Sequence, residues 1–207
     1  MAEGCDARQH RITSAPLITD RLRFRPLTDS DLGHLFDLNN DPEVMRFLNG
    51  GRPTTLEEVR ADSLPRLTRH YPCIGGPGFW AADDRATGVF AGWFELRPVA
   101  ADSAAVVELG YRLNRTAWGR GLATEGAVAL IDRAFAGLGV ETVTANTMSV
   151  NARSRRVMEK AGLRHLRTFF GDWPDRIEGS ELGEVEYAMT RDEWRRARAA
   201  VKRSRSH

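Results

Sequence analysis

The chain has 207 residues, 42% hydrophobic and 28% charged, which is enough to bury one real core and makes a single domain the default. No run of about 18 apolar residues is present to span a membrane, and the opening M-A-E-G-C-D-A-R-Q-H-R lacks the apolar centre of a signal peptide, so a cytoplasmic protein is expected. The net charge of +2 hides a split: Arg195, Arg196, Arg198, Lys202, Arg203 and Arg205 crowd the last residues without an acid, while the rest is mildly acidic.

In chain order, residues 1–16 read as a polar leader. The alternation of Asp20-Arg-Leu-Arg-Phe-Arg-Pro-Leu27 predicts a first strand ended by Pro26. Thr28 with Asp31 three residues on forms a capping box for a helix whose stripe is Leu32, Leu35 and Phe36. Asp41-Pro42 opens a second helix through Val44 and Phe47, with proline in its first position. Thr54 or Thr55, answered by Glu57 or Glu58, caps a third, which Pro65 should interrupt or kink. Gly75–Gly78 reads as a loop. Phe79 to Ala82 and Val89 to Leu96 read as a hairpin around Asp83 to Gly88, with Trp80, Trp93 and Phe94 as core or sheet-face aromatics.

The central stretch is Val106 to Phe135. Val107, Leu109, Tyr111 and Leu113 alternate with Glu108, Gly110 and Arg112, the period of a half-buried strand. Gly110 within it marks a bulge or a close approach to the backbone. Ala127, Leu130, Ile131, Ala134 and Phe135 recur at helical spacing, so a helix begins near Gly121 to Thr124. Between the two, Trp118-Gly119-Arg120-Gly121-Leu122-Ala123 places two glycines where the unpaired amides of a helix start point outward. Such a loop can hold an anion, a pyrophosphate above all, and it also reads as a plain tight turn. A P-loop would need Gly-Lys-Ser/Thr, and a dinucleotide fingerprint a third glycine where Thr124 stands; neither is present.

Beyond it, Thr142 to Thr147 is a fifth strand. It leads to Asn151 and a helix with Val157 and Met158 inward, Lys160 near its end and Gly162 as its stop. Leu163 to Phe170 and Glu184 to Thr190 are closing strands, and Thr190 with Glu193 caps a last helix carrying Trp194. The run Gly171 to Glu186 sets Asp172, Asp175, Glu178, Glu181, Glu184 and Glu186 against Arg176 alone, which suits a cationic ligand and equally a solvated loop. The basic end, residues 196–207, reads as a frayed helix terminus; nucleic-acid binding by it is the less favoured reading. Cys5 and Cys73 show no metal-like spacing, and His10, His34, His70, His165 and His207 are scattered, so no metal is expected.

The block E-L-G-Y-R-L-N-R-T-A-W-G-R-G-L-A-T-E closely resembles the coenzyme A signature of the GNAT acetyltransferases, Gln/Arg-x-x-Gly-x-Gly/Ala, with Gly121 and Ala123 in its fourth and sixth positions. Trp118 stands in the first position, a departure that removes one polar contact. The runs T-D-R-L-R-F-R-P-L-T-D-S-D-L, D-P-E-V-M-R-F-L and N-A-R-S-R-R-V-M-E-K-A-G-L resemble the same superfamily, in particular the branch of the ribosomal-protein N-terminal alanine acetyltransferases.

The resemblance implies one α/β domain over residues 17–195, with a mixed, mostly antiparallel twisted sheet of about six to seven strands flanked by helices. It implies acetyl-CoA as co-substrate, held by the amides of Gly119, Arg120, Gly121, Leu122, Ala123 and Thr124 with Trp118, Tyr111, Leu113 and Asn151, between two strands that splay. It also implies direct attack by a primary amine in a ternary complex. A protein or peptide α-amine is the preferred acceptor, with a polyamine, an aminoglycoside or an amino-acid derivative as the alternative; a catalytically silent acyl-CoA-binding module is a rival of another class, and a homodimer stays open.

Some family members place a catalytic glutamate where Glu108 stands, and an arginine-paired sheet carboxylate is the plain alternative. Many place a tyrosine at the position of Met158, which has no proton to give. Ser154, three residues after Asn151, is the substitute acid, with helix capping as its other role. Trp80, Trp93 and Glu184 are candidate acceptor contacts.

Overall fold

The computed structural model of the chain describes residues 17–171 and 177–204. The leader with Cys5 and His10, the residues Asp172, Asp175 and Arg176 of the acidic run, and Arg205 and His207 lie outside the described residues.

Seven strands form one sheet: β1 (Leu22–Pro26), β4 (Phe79–Asp84), β5 (Phe90–Pro98), β6 (Val106–Leu113), β7 (Thr142–Met148), β8 (Arg164–Phe169) and β9 (Glu184–Thr190). Their order is β1-β4-β5-β6-β7-β9-β8, antiparallel throughout except for the parallel pair β6 and β7. The loop expected at Gly75–Gly78 is partly strand, because β3 (Gly76–Pro77) pairs with β2 (His70–Tyr71) as a separate ladder.

Helices cover both faces. α4 (Leu122–Gly137) lays Ala127, Leu130, Ile131, Ala134 and Phe135 on one face against Phe94 and Leu96 of β5. α5 (Ala152–Lys160) adds Met158 to that core, and α6 (Arg191–Ser204) brings Trp194 to within 5.6 Å of Phe135. On the other face, α1 (Leu32–Asn39) and the helical run α3 (residues 56–67) pack Leu35, Leu38, Val59, Leu64 and Leu67 around Phe79 and Trp93, with α2 (Pro42–Asn49) beside them. The capping boxes at Thr28 and Thr55 form as the spacing predicts. α3 continues past Pro65 because a π turn, Val59–Ser63, precedes it and opens the backbone where proline supplies no N–H.

Two consequences position the site. β5 is covered on both faces, so its sequence is nearly all apolar, and the one carboxylate within it, Glu95, is only 9% exposed. β6 and β7 pair only at Val106–Thr142, Val107–Val143 and Glu108–Thr144. Beyond Glu108 the strands part, as expected from the family resemblance, and a wedge opens in the sheet. Asn114 N–H donates to Ala91 and Val99 N–H to Val106 O, so the even-numbered residues of β6 face β5. The alternation of an antiparallel ladder then aims the N–H groups of Leu109, Tyr111 and Leu113 into the wedge.

Candidate active site

The wedge belongs to a cleft of about 1710 Å³ that runs from the start of α4, past β6 and α5, to α2 and β5. At one end, Gly119 and Gly121 have φ of 70° and 77°, a region that L side chains avoid. A Cβ at Gly119 would meet nothing within 4 Å, so the backbone there stands open to a ligand. Gly121 is the N-cap of α4, and its carbonyl accepts the first helical bond from Glu125 N–H at 3.0 Å, which leaves the amides of Leu122, Ala123 and Thr124 without helical partners. These amides line the cleft with Trp118 and Gly119.

The neighbouring charges keep this helix start free for an anion. Glu125, in the first turn, accepts from Thr19 Oγ1 at 2.6 Å and from Arg21 Nε at 2.6 Å, and burial is outweighed by these bonds, so its carboxyl stays below the ordinary range. The Arg120 side chain leaves the cleft for Asp84, at 2.7 Å, so only its backbone belongs to the loop. Trp118 donates from Nε1 to Leu113 O at 2.8 Å and carries the Arg153 guanidinium 5.3 Å above its ring. Arg153, Arg156 and Lys160 line the same end, so two positive-φ glycines, unpaired amides and three cations suit a phosphorylated ligand.

Midway, Asn151 Oδ1 accepts from Ser154 N–H at 3.2 Å, so Asn151 is the cap of α5 and the Ser154 hydroxyl is free for another partner. That partner is the Tyr111 hydroxyl, 3.0 Å from Ser154 Oγ, which also donates to Ser154 O at 3.0 Å. Burial pushes the Tyr111 hydroxyl up to about 12 against the opposing bond from Ser154. Met158 lies in the core, 2% exposed.

At the far end, β5 and β6 register Glu95 with Gly110, Arg97 with Glu108 and Trp93 with Arg112, so all six share one face. Arg97 bonds both Glu95 and Glu108, making Glu108 the arginine-paired carboxylate of the two sequence readings. Glu95 lies deeper. Burial, then the charge of Glu108, raises its carboxyl to about 7 despite Arg97. Glu184 also reaches this part of the cleft and is raised by burial and by Glu108. Trp93 lines the cleft, whereas Trp80 sits on the opposite face, its ring 5.2 Å from the Arg133 guanidinium, and is absent from the cleft wall.

Of the residues singled out in the sequence, the fold brings the loop, Glu108, Tyr111, Leu113, Trp93, Asn151, Ser154 and Glu184 to one cleft and leaves Trp80 outside it; Glu95 and Arg112, not singled out there, line the same cleft. The available signal was a lone carboxylate inside the apolar run Phe90-Ala-Gly-Trp-Phe-Glu-Leu96. Among the described residues, no group of three or more His, Cys, Asp or Glu is placed to hold a metal ion, and no helix is long and apolar enough to cross a membrane.

Residues 21–164 match a family model described as an acetyltransferase (GNAT) domain. The FsC-acetyl coenzyme A-N(2)-transacetylase of Aspergillus fumigatus is 36% identical over 197 residues, covering 91% of this chain and 82% of that protein. The spermidine N-acetyltransferase from Vibrio cholerae, solved in complex with CoA and spermine, shares the fold with a TM-score of 0.68 at 16% identity, over 85% of this chain and 99% of that one. An aminoglycoside acetyltransferase, AAC(6')-Ib, solved with coenzyme A, does so with a TM-score of 0.66 at 22% identity, over 86% and 99%.

Proposed function

This chain belongs to the GNAT acetyltransferases, and on that premise we propose that it moves the acetyl group of acetyl-CoA to the primary α-amine of a small molecule, with Glu95 as the general base. Acetyl-CoA is the co-substrate of this family. The observation that carries the reading is a cleft-lining carboxylate raised to about 7, where the free amine has to be made.

An α-amine has a pKa of about 7.7–8.0, so handing its proton to a group near 7 costs about 1 kcal/mol, against roughly 4–5 kcal/mol for an ordinary carboxylate. Glu95 thus accepts the proton at little cost, while about half of it is still ionised at neutral pH and free to act as a base. Glu108, the base suggested by family resemblance, then acts from a distance: its charge raises Glu95, and Arg97 bridges the two. The N–H groups of Tyr111 and Leu113 stabilise the negative oxygen that develops during attack. The Ser154 hydroxyl passes a proton to the leaving thiolate as it takes one from the Tyr111 hydroxyl, which regains it from solvent, filling the role that Met158 cannot. The amides of residues 119–124 bind the pyrophosphate, with Arg153, Arg156 and Lys160 beside them.

A small acceptor is favoured over a protein N-terminus because Glu95 is nearly buried, and because the Aspergillus fumigatus relative is named for an N(2)-transacetylation. The test is thiol release from acetyl-CoA across a panel of amines. Glu95→Gln should lower kcat by about 10²–10⁴-fold and erase a limb near pH 7, while acetyl-CoA still raises the melting temperature. Unchanged turnover in that variant would move the base elsewhere.

A further inference from the structure

The wall beside Glu95 holds two buried side-chain donors that nothing in the protein satisfies. Trp93 Nε1 and Arg112 Nε are the buried side-chain nitrogens or oxygens without a hydrogen-bond partner among the described residues. They are neighbours: Trp93 and Arg112 are paired in register across β5 and β6, the guanidinium lies 5.1 Å from the indole ring centre, and both residues line the cleft. Native proteins leave few such groups unmet, and two side by side at a cleft wall mark the place of an acceptor atom supplied from outside.

The charge around them says what kind of atom. Arg112 donates from Nη1 to the neutral Asn39 Oδ1, and among the described residues no carboxylate lies within ion-pair distance of it. Burial, then the charge of Arg66, lowers Arg112 to about 10 against the attraction of Glu95, whose carboxylate Arg97 holds. Arg112 is therefore a largely enclosed cation that none of the described carboxylates touches and that Glu95 balances only from a distance. A second amine at this point would meet two positive charges; an oxygen, anionic or carbonyl, would be welcomed.

We infer that the acceptor is an α-amino acyl compound, whose amine faces Glu95 while the oxygen on the adjacent carbon takes the hydrogen bonds of Trp93 Nε1 and Arg112 Nε. This rests on the acetyl transfer proposed above and narrows its acceptor. Residues 93 and 95 lie on one face about 7 Å apart along the strand. Converging hydrogen bonds from that spacing span an amine and a carbonyl oxygen on adjoining carbons. Neither nitrogen meets solvent, so the inference requires both side chains to shift as the acceptor binds. A polyamine has no oxygen to offer there.

The experiment compares matched acceptors by thiol release from acetyl-CoA: phenylalanine, its methyl ester and phenethylamine, and lysine, its methyl ester and cadaverine. The acyl-bearing members should exceed the decarboxylated amines by about 10- to 100-fold in kcat/KM; the amines are also more basic, so the part of that ratio lost in the Trp93 and Arg112 variants below is what measures the oxygen contact. A lead for the free acid over the ester assigns the site to a carboxylate, and parity assigns it to a carbonyl. Trp93→Phe, which keeps the ring packed on Phe79 and deletes one N–H, should shrink the ratio several-fold, with an acetyl-CoA-dependent melting shift as proof of folding. Arg112→Gln should shrink it further. Phenethylamine or cadaverine turned over as fast as its partners would overturn the inference and leave the acetyltransferase reading standing. Turnover of no amine in either set would remove both.

Discussion

Glu95 owes its place to a side chain that is missing across the strand. A Cβ at Gly110 would stand 2.7 Å from Glu95 Oε2, so Gly110 makes room for the carboxylate, and the close approach suggested by a glycine within β6 is that of Glu95. Gly110→Ala should displace the carboxylate and lower kcat at least tenfold, with acetyl-CoA binding retained; full activity would show that Glu95 moves aside at no cost. The same carboxylate sets a stability signature. Its folded pKa of about 7 lies above the ordinary 4.5, so the folded protein keeps a proton that the unfolded chain has released. The contribution of this one group to stability is then fullest below about pH 4.5 and is lost as pH rises to about 7, by up to roughly 3 kcal/mol. The melting temperature should drop between pH 5 and 8, and Glu95→Gln, besides lowering turnover, should flatten that drop; an unchanged slope would refute the raised pKa. None of this was legible locally. Glu108 stands out beside the glycine loop, but the meaning of Glu95 depends on its registry with Gly110, and Ser154 meets Tyr111 across 43 residues of sequence.

Elements were read more faithfully, because a strand or an amphipathic helix is written in its own periodicity. β6 and the buried stripe of α4 fall where alternation and helical spacing put them, and the boxes at Thr28, Thr55 and Thr190 cap the helical turns that begin just after them. What failed needed partners: the Gly76–Pro77 ladder exists through His70–Tyr71, and the opposite facing of Trp80 and Trp93 comes from the pairing of Trp80 with Phe94. One element-scale consequence is testable at Gly126, on the face of α4 against β5. Alanine would gain about 1 kcal/mol in helix propensity, yet its Cβ would sit 2.3 Å from Phe94 Cζ. Overpacking of a full core costs about 1–3 kcal/mol or more, and Phe94, fully buried, has nowhere to go. Gly126→Ala should therefore lower the melting temperature by a few degrees; a rise would mean slack between helix and sheet.

At the scale of the molecule, the cleft is a seam rather than a hole. It is walled by β6 and β7 where they part, by the first turn of α4 and by α5, so its ligand touches several elements of one core at once. Unfolding any of them empties the cleft, and the free energy of binding therefore appears in the global transition. At a hundred times its dissociation constant, acetyl-CoA should add about 2.7 kcal/mol, a rise of roughly 5–10 °C in melting temperature for a domain of this size. ATP should give less, because it lacks a pantetheine arm to fill the wedge between β6 and β7. Gly121→Val separates the loop from the wedge: with φ at 77°, a β-branched residue strains the turn and lowers the melting temperature without ligand, and its side chain covers the amides at the helix start. If those amides hold the pyrophosphate, the variant should lose most of the acetyl-CoA shift. A variant that melts lower yet keeps the full shift would leave the turn as structure alone and place the binding energy in the wedge.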